Sequence, residues 1–407
     1  MLDRPNADST ASQPAWIGIA LSFYAFSAIG IAEGGLGVLI PSIQATFEIS
    51  PATITLLFLS QLSGYVVAAI GSSLISSRFG LARMLLFAAT TLTMALIGFA
   101  NSPVWAMMVG AGSLLGLGIG LIDAGINTYI ASDRRGADLT GILHAFYGVG
   151  ALLGPAVATT LLALDLHWRQ VYLVLAAVVE VLMLGLIWAT IAPYRPMNQR
   201  PKSSDTSASE NLRVALRTPM VLLAGVLLLI YVGTEATMGN WAYSVQHVAR
   251  GTPALVAGYS VSAYWLGLTI GRLGMGRVIR QLGATRTLDL SLLLLTIGLL
   301  LWWLVPNPPL SLPLIGLALA PIFPTTIWLM PQRVPLTLVP AAIGFVTSVA
   351  SLGAAMIPTS LGWIANQVGL EVIPALLLPL ALLMGLVHRW LVRHALLSEP
   401  RSLSKEH

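Results

Sequence analysis

Residues 33–44 read EGGLGVLIPSIQ and residues 235–246 read EATMGNWAYSVQ, so that Glu33, Gly37, Ser42 and Gln44 recur 202 positions later as Glu235, Gly239, Ser244 and Gln246. A Glu-x3-Gly-x4-Ser-x-Gln pattern repeated at nearly half the chain length of 407 residues marks an internal duplication. The wider comparison agrees. Gly64, Gly71, Gly80 and Arg83 recur 203 residues later as Gly267, Gly274, Gly283 and Arg286, and Gly141, Gly150 and Pro155 recur as Gly344, Gly353 and Pro358.

What is duplicated follows from composition. Hydrophobic residues make up 56% of the chain and charged residues only 9%, whereas soluble domains carry about a quarter charged residues. A soluble enzyme is excluded, and the absence of cysteine also removes disulfides, thiolate metal sites and a cysteine nucleophile. No Gly-x4-Gly-Lys-[Ser/Thr] sequence is present, which argues against direct use of ATP. The reading expects no cofactor, metal or nucleic-acid partner; the partners are a small-molecule solute, protons and the lipid bilayer, and a monomer is expected.

Apolar stretches long enough to cross a bilayer as helices fall at 16–40, 52–76, 83–101, 103–131, 139–163 and 169–192, and again at 219–246, 254–279, 286–305, 311–331, 338–363 and 372–395. The sequence therefore predicts an all-α membrane protein of twelve spans. Its units are a tail over 1–15, a six-helix bundle over 16–192, a linker over 193–218, a second bundle over 219–395 and a tail over 396–407. Residues 1–15 are polar and are not read as a signal peptide. With both termini inside, 18 of the 21 Lys and Arg fall on the cytoplasmic side, which predicts cytoplasmic termini in a plasma or inner membrane and explains the net charge of +5 without nucleic acid. Six spans per copy is an even number, so the copies enter the membrane in the same sense and enclose a central cavity.

At this point the chain resembles the major facilitator superfamily, whose second-to-third loop usually reads Gly-x-Leu-Ala-Asp-Arg-x-Gly-Arg. The matching stretch runs from Ser73 to Arg83 and its second copy from Gly276 to Arg286; both keep the glycine and final arginine, and both lack the aspartate. The resemblance assigns Arg83 and Arg286 to gating. A narrower resemblance is to fucose permease-like sugar:proton symporters, carried by Leu39-Ile40-Pro41-x-x-Gln44-x-x-Phe47, Asp123-Ala124-Gly125-Ile126-Asn127 and Pro321-Ile322-Phe323-Pro324-Thr325. That group's first-helix carboxylate aligns with Gly37, and here Glu33 stands one turn earlier. The resemblance implies sugar-type symport. Gly150-x3-Gly154-Pro155 is similar to a fifth-helix motif of drug:proton antiporters and keeps an efflux reading open. A non-transporting receptor on the same scaffold is the third reading.

A carboxylate at bilayer depth costs at least about 2.5–3.5 kcal/mol, so each needs a partner, a proton or a wet cavity. Asp123, Glu33 and Glu235 are the candidate proton-coupling groups, while Glu180 in the sixth span is read as peripheral. Sodium could serve in place of protons, since the same oxygens bind either. Arg272, an embedded cation, is read as a gate or structural group, and His144 as a packing histidine. Asn127, Asn240, Trp241, Gln61 and Tyr147 are the candidate solute ligands, because a sugar asks for amides against its hydroxyls and an aromatic face against its C–H surface. Trp241, beside Asn240, is the preferred aromatic; Tyr264 and Trp265 are equally readable as packing.

Overall fold

The computed structural model describes residues 16–133, 135–192, 194, 197, 213–305 and 310–398. The tail over 1–15 and most of the linker over 193–218 lie outside the described residues, as does the chain beyond residue 398.

The first bundle comprises α1 (Trp16–Gly34, continued by Leu36–Phe47), α2 (Pro51–Phe79), α3 (Leu81–Asn101), α4 (Trp105–Ala131), α5 (Gly136–Ala163) and α6 (Trp168–Ile191). The second comprises α7 (Pro219–Ser244, ending in one π-helical turn over Val245–Ala249), α8 (Ala254–Leu282), α9 (Ala284–Leu304), α10 (Ser311–Leu319, resuming as Ile322–Trp328), α11 (Val339–Val368) and α12 (Val372–Ser398). All twelve spans are long and apolar enough to cross a membrane, and no strand occurs among the described residues. The chain alternates sides at every span, so α1 begins and α12 ends on one face, called here the termini face.

Two spans depart from the continuous helices read from the sequence. The first span runs on to Phe47 rather than ending near residue 40, with its break at Gly35. The tenth is interrupted at Ala320 and Pro321, where Pro321 and Pro324 have no N–H to give the preceding turn.

Glycines set the closest helix approaches. A Cβ at Gly64 would overlap the Ser113 carbonyl of α4, and its counterpart at Gly267 would overlap the Pro313 carbonyl of α10. In the same way Gly150 of α5 abuts the Ser27 carbonyl of α1, and Gly353 of α11 abuts the Leu229 carbonyl of α7. The duplicated glycines are thus places where backbone meets backbone in each bundle, the small-residue packing that replaces hydrophobic drive inside lipid. Gly80 and Gly283 act differently: at φ 86° and 79° they turn the chain from α2 into α3 and from α8 into α9.

The bundles meet along α2 with α11, α5 with α8, and the outer part of α1 with α7. Contact is concentrated on the face opposite the termini. There a Cβ at Gly37 would overlap the carbonyl of Gly239, its partner in the repeat, and Gly362 of α11 rests on Thr55 and Trp241. Trp363 donates its indole N–H to Thr55 Oγ1 at 3.1 Å, and the hydroxyls of Thr160 and Tyr259 lie 2.8 Å apart across α5 and α8. Toward the termini face the same helices separate: around Gly141, Gly274 and Gly344 there is open space. The molecule is sealed on one face and open on the other.

Because the chain has no native cysteine, a single reporter tests this seal directly. Gly37→Leu is expected to prop the seam apart, so that Gln61→Cys is labelled severalfold faster by an impermeant maleimide added on the face opposite the termini; an unchanged rate would show that the Gly37–Gly239 contact does not hold the seam.

Candidate functional site

Three carboxylates lie near one another in the interior of the bundles, and their partners differ. Asp123 lies in α4, where Tyr65 of α2 donates its hydroxyl to Oδ2 at 2.7 Å and Asn127, one turn on, donates Nδ2 to Oδ1 at 2.8 Å. The Asn127 amide also donates to the Asp123 backbone carbonyl at 3.0 Å, so the Asp-x3-Asn element is a self-contained clamp on one helix face. Ser351 of α11 stands beside the Tyr65 hydroxyl, which brings the second bundle to this group.

Glu33 of α1 accepts a 3.0 Å hydrogen bond at Oε2 from Tyr147 of α5. It feels the charges of both Asp123 and Glu235, so the three acids share one electrostatic environment. Neither Glu33 nor Asp123 forms an ion pair among the described residues.

Glu235 of α7 is different. Arg272 of α8 reaches both its oxygens through Nη2 at 3.4 Å and the Tyr231 hydroxyl at 3.1 Å. Arg272 and Glu235 retain only 20% and 12% side-chain exposure, so this is an ion pair within the second bundle. Tyr264 adds a 3.3 Å bond to the Glu235 backbone carbonyl. Arg272, read from the sequence as a gate or structural group, neutralises Glu235 within the second bundle. That also leaves Glu235 with a fixed cation, unlike Glu33 and Asp123.

The remaining candidates fall into two groups. Gln61 and Asn240 are half-buried, and their amides make no hydrogen bond among the described residues, which leaves donors and acceptors for a solute. Tyr147 and Asn127 are held through Glu33 and Asp123. Trp241, the preferred solute aromatic, is instead fully buried in the outer seam: its N–H donates to the Pro358 carbonyl at 3.0 Å, and it meets Phe58 edge-on at 6.1 Å. The hydrogen bond ties α7 to α11, and the indole lies in the seam between the helices. Trp265 packs on Gly239 beneath it. Arg83 and Arg286 are exposed at the starts of α3 and α9 without an ion pair among the described residues, consistent with loops that lack the aspartate. His144 is exposed in the opened half of α5, edge-on to Phe26 at 5.6 Å, and Glu180 is exposed on α6 away from the three acids.

Sequence reading missed Tyr65 and Tyr231. Tyr231 carried a usable signal, since it lies four residues before Glu235 on one helix face. Tyr65 carried none, because its partner is 58 residues away on another helix.

Arg272→Gln strands the Glu235 carboxylate and is expected to cost about 3 kcal/mol of stability, with much of the loss recovered in Arg272→Gln/Glu235→Gln. Thermal unfolding of the purified variants checks this; equal stability of all forms would mean the pair is not needed to balance charge.

Comparison with known proteins agrees with this architecture. The chain is 26% identical over 392 residues to "Bypass of stop codon protein 6" of Saccharomyces cerevisiae, covering 86% of this chain and 77% of that protein. It is 26% identical over 350 residues to the glucose/mannose transporter GlcP of Bacillus subtilis, covering 84% and 86%. Its fold matches the major facilitator transporter FucP in its outward conformation with a TM-score of 0.63 at 14% identity, over 92% of this chain and 98% of that one. A mutant of the nucleoside transporter NupG matches with a TM-score of 0.74 at 14% identity, over 93% and 99%. The chain is a membrane-embedded transporter of a small-molecule solute and not an enzyme. With the major facilitator model matching residues 15–335, within a frame of two parallel six-helix bundles, the chain belongs to the Major Facilitator Superfamily.

Proposed function

We propose that the chain is a proton-coupled symporter for a small, neutral, sugar-like solute, with both termini in the cytoplasm and the vestibule seen here opening inward. The observation that carries the reading is the asymmetry of the three acids: Glu235 has Arg272, whereas Asp123 and Glu33 have only hydroxyl and amide partners. Two carboxylates without a cation cannot both stay ionised when the site is sealed from water, so they must take up protons before the bundles rock.

Protonation while the site is open outward would neutralise Asp123 and Glu33 and let the seam close over the loaded site. Opening inward returns water to the carboxylates and releases the proton with the solute. The half-buried amides of Gln61 and Asn240, with Asn127 and the Tyr65 and Tyr147 rings, supply polar contacts and flat apolar faces suited to a hexose. The relative described as a glucose/mannose transporter supports the same solute class.

The efflux reading loses its main support. Gly150 and Gly154 are both occupied in packing α5 on α1, against the backbones of Ser27 and Ile31, so packing alone accounts for the motif.

In proteoliposomes given a panel of hexoses and nucleosides, an acid exterior is expected to drive uphill uptake of a hexose, and reversing the gradient is expected to stop it. Asp123→Asn should abolish accumulation while leaving exchange of preloaded solute largely intact. Uphill uptake by Asp123→Asn at the wild-type level, or accumulation under the opposite gradient, would overturn the assignment.

A further inference from the structure

A second group of charges lies far from the three acids, on the flank of the second bundle near the termini face. Its centre is Asp289, five residues into α9, which faces α12. Asp289 Oδ1 lies 3.4 Å from His388 Nε2 and 3.4 Å from Arg389 Nε. His388 is sealed inside the α9–α12 contact at 1% side-chain exposure, whereas Arg389, the next residue, is 64% exposed on the outer surface. Arg333, at the end of the short helix Met330–Arg333 that follows α10, lies close enough for its charge to act on His388.

The charges here do not balance. Arg286 precedes Asp289 by one turn and Arg393 follows Arg389 by one turn, and both are exposed. With Arg333 and Arg389 they make four guanidinium groups around a single acid; the other acids described in this bundle are Glu235, already paired, and Glu371, on the opposite face. Arg333 Nη1 is buried without a hydrogen-bond partner among the described residues. Burial lowers the Arg333 guanidinium to about 10, which still leaves it charged at neutral pH. A charged donor held out of water with an empty nitrogen calls for an anion, and the described residues supply none.

The surroundings identify the anion. Along the same two helices Leu290, Leu293 and Ile297 of α9 and Leu382, Leu383 and Leu386 of α12 are exposed. Arg389 and Arg393 are in the last turns of an apolar span, at the depth where long side chains reach a headgroup. A free phosphate would gain nothing from the leucines. A lipid gains from both parts.

We propose that the termini-face flank of α9 and α12 is a binding site for an anionic phospholipid, its phosphate held by Arg389 and Arg333 with Arg286 and Arg393 at the rim, and its acyl chains along the exposed leucines. The lipid ties the α10–α11 connection to α9 and α12 and offsets the excess positive charge of the second bundle.

The test uses the full-length protein in vesicles of phosphatidylcholine alone and with about a fifth phosphatidylglycerol. Phosphatidylglycerol is expected to raise the unfolding midpoint of the wild type and of the control Arg78→Gln, which alters an exposed charge on the first bundle. Arg389→Gln, chosen because its side chain is 64% exposed, should lose most of that rise, and so should Arg333→Gln. Inorganic phosphate added to phosphatidylcholine vesicles should give no rise. An equal rise in Arg389→Gln and wild type would reduce the effect to general surface charge and overturn the site. A rise with inorganic phosphate that Arg389→Gln removes would make it a soluble-anion site and overturn the lipid assignment.

Discussion

The ion pair between Arg272 and Glu235 sets the charge balance of the whole interior. Three carboxylates and one arginine face each other across the cavity, and the arginine is committed to one acid. In a medium where an unpaired charge costs several kcal/mol, that commitment decides the standing of the other two. Asp123 and Glu33 are left with partners that can hydrogen-bond either the ionised or the protonated form, since a tyrosine hydroxyl can accept as well as donate. In the proposed symport Asp123 and Glu33 are the proton-exchanging groups, while Glu235 is paired with a fixed cation.

Around this charge pattern the duplicated glycines provide a rigid frame. Each bundle is locked internally by backbone contacts at equivalent positions, Gly64 with Gly267 and Gly150 with Gly353. The bundles then act as two bodies meeting at a seam, and at its outer end the repeat meets itself at Gly37 and Gly239. Trp241 and Trp363 close that end with hydrogen bonds to a carbonyl of their own bundle and a hydroxyl of the other. A seam of small residues and a few hydrogen bonds can open as a unit, as alternating access requires.

Much of this was readable in the sequence. The twelve spans followed from hydropathy and the two bundles from the 202 and 203 offsets, because bilayer thickness and duplication both leave long, regular marks. Asp123, Asn127 and Glu33 stood out because charge and amides are costly in lipid, and Asp123 and Asn127 are one turn apart on one helix. What stayed hidden were the contacts between helices. No spacing pairs Tyr65 with Asp123 or Arg272 with Glu235, which are 58 and 37 residues apart. Trp241 misled for a physical reason: an indole beside an amide at cavity depth reads as a solute platform, and only its full burial and its bond to the Pro358 carbonyl on another helix show that the seam has claimed it.

In the proposed symport, protons cross with the solute through Asp123 and Glu33, the two acids that lack a cation. The most direct measurement is external pH in a lightly buffered suspension of proteoliposomes when a transported hexose is added without an imposed gradient. The medium is expected to turn alkaline as solute enters, and Asp123→Asn is expected to abolish the change. Solute entry with no change in pH, or with acidification, would contradict the proposed symport.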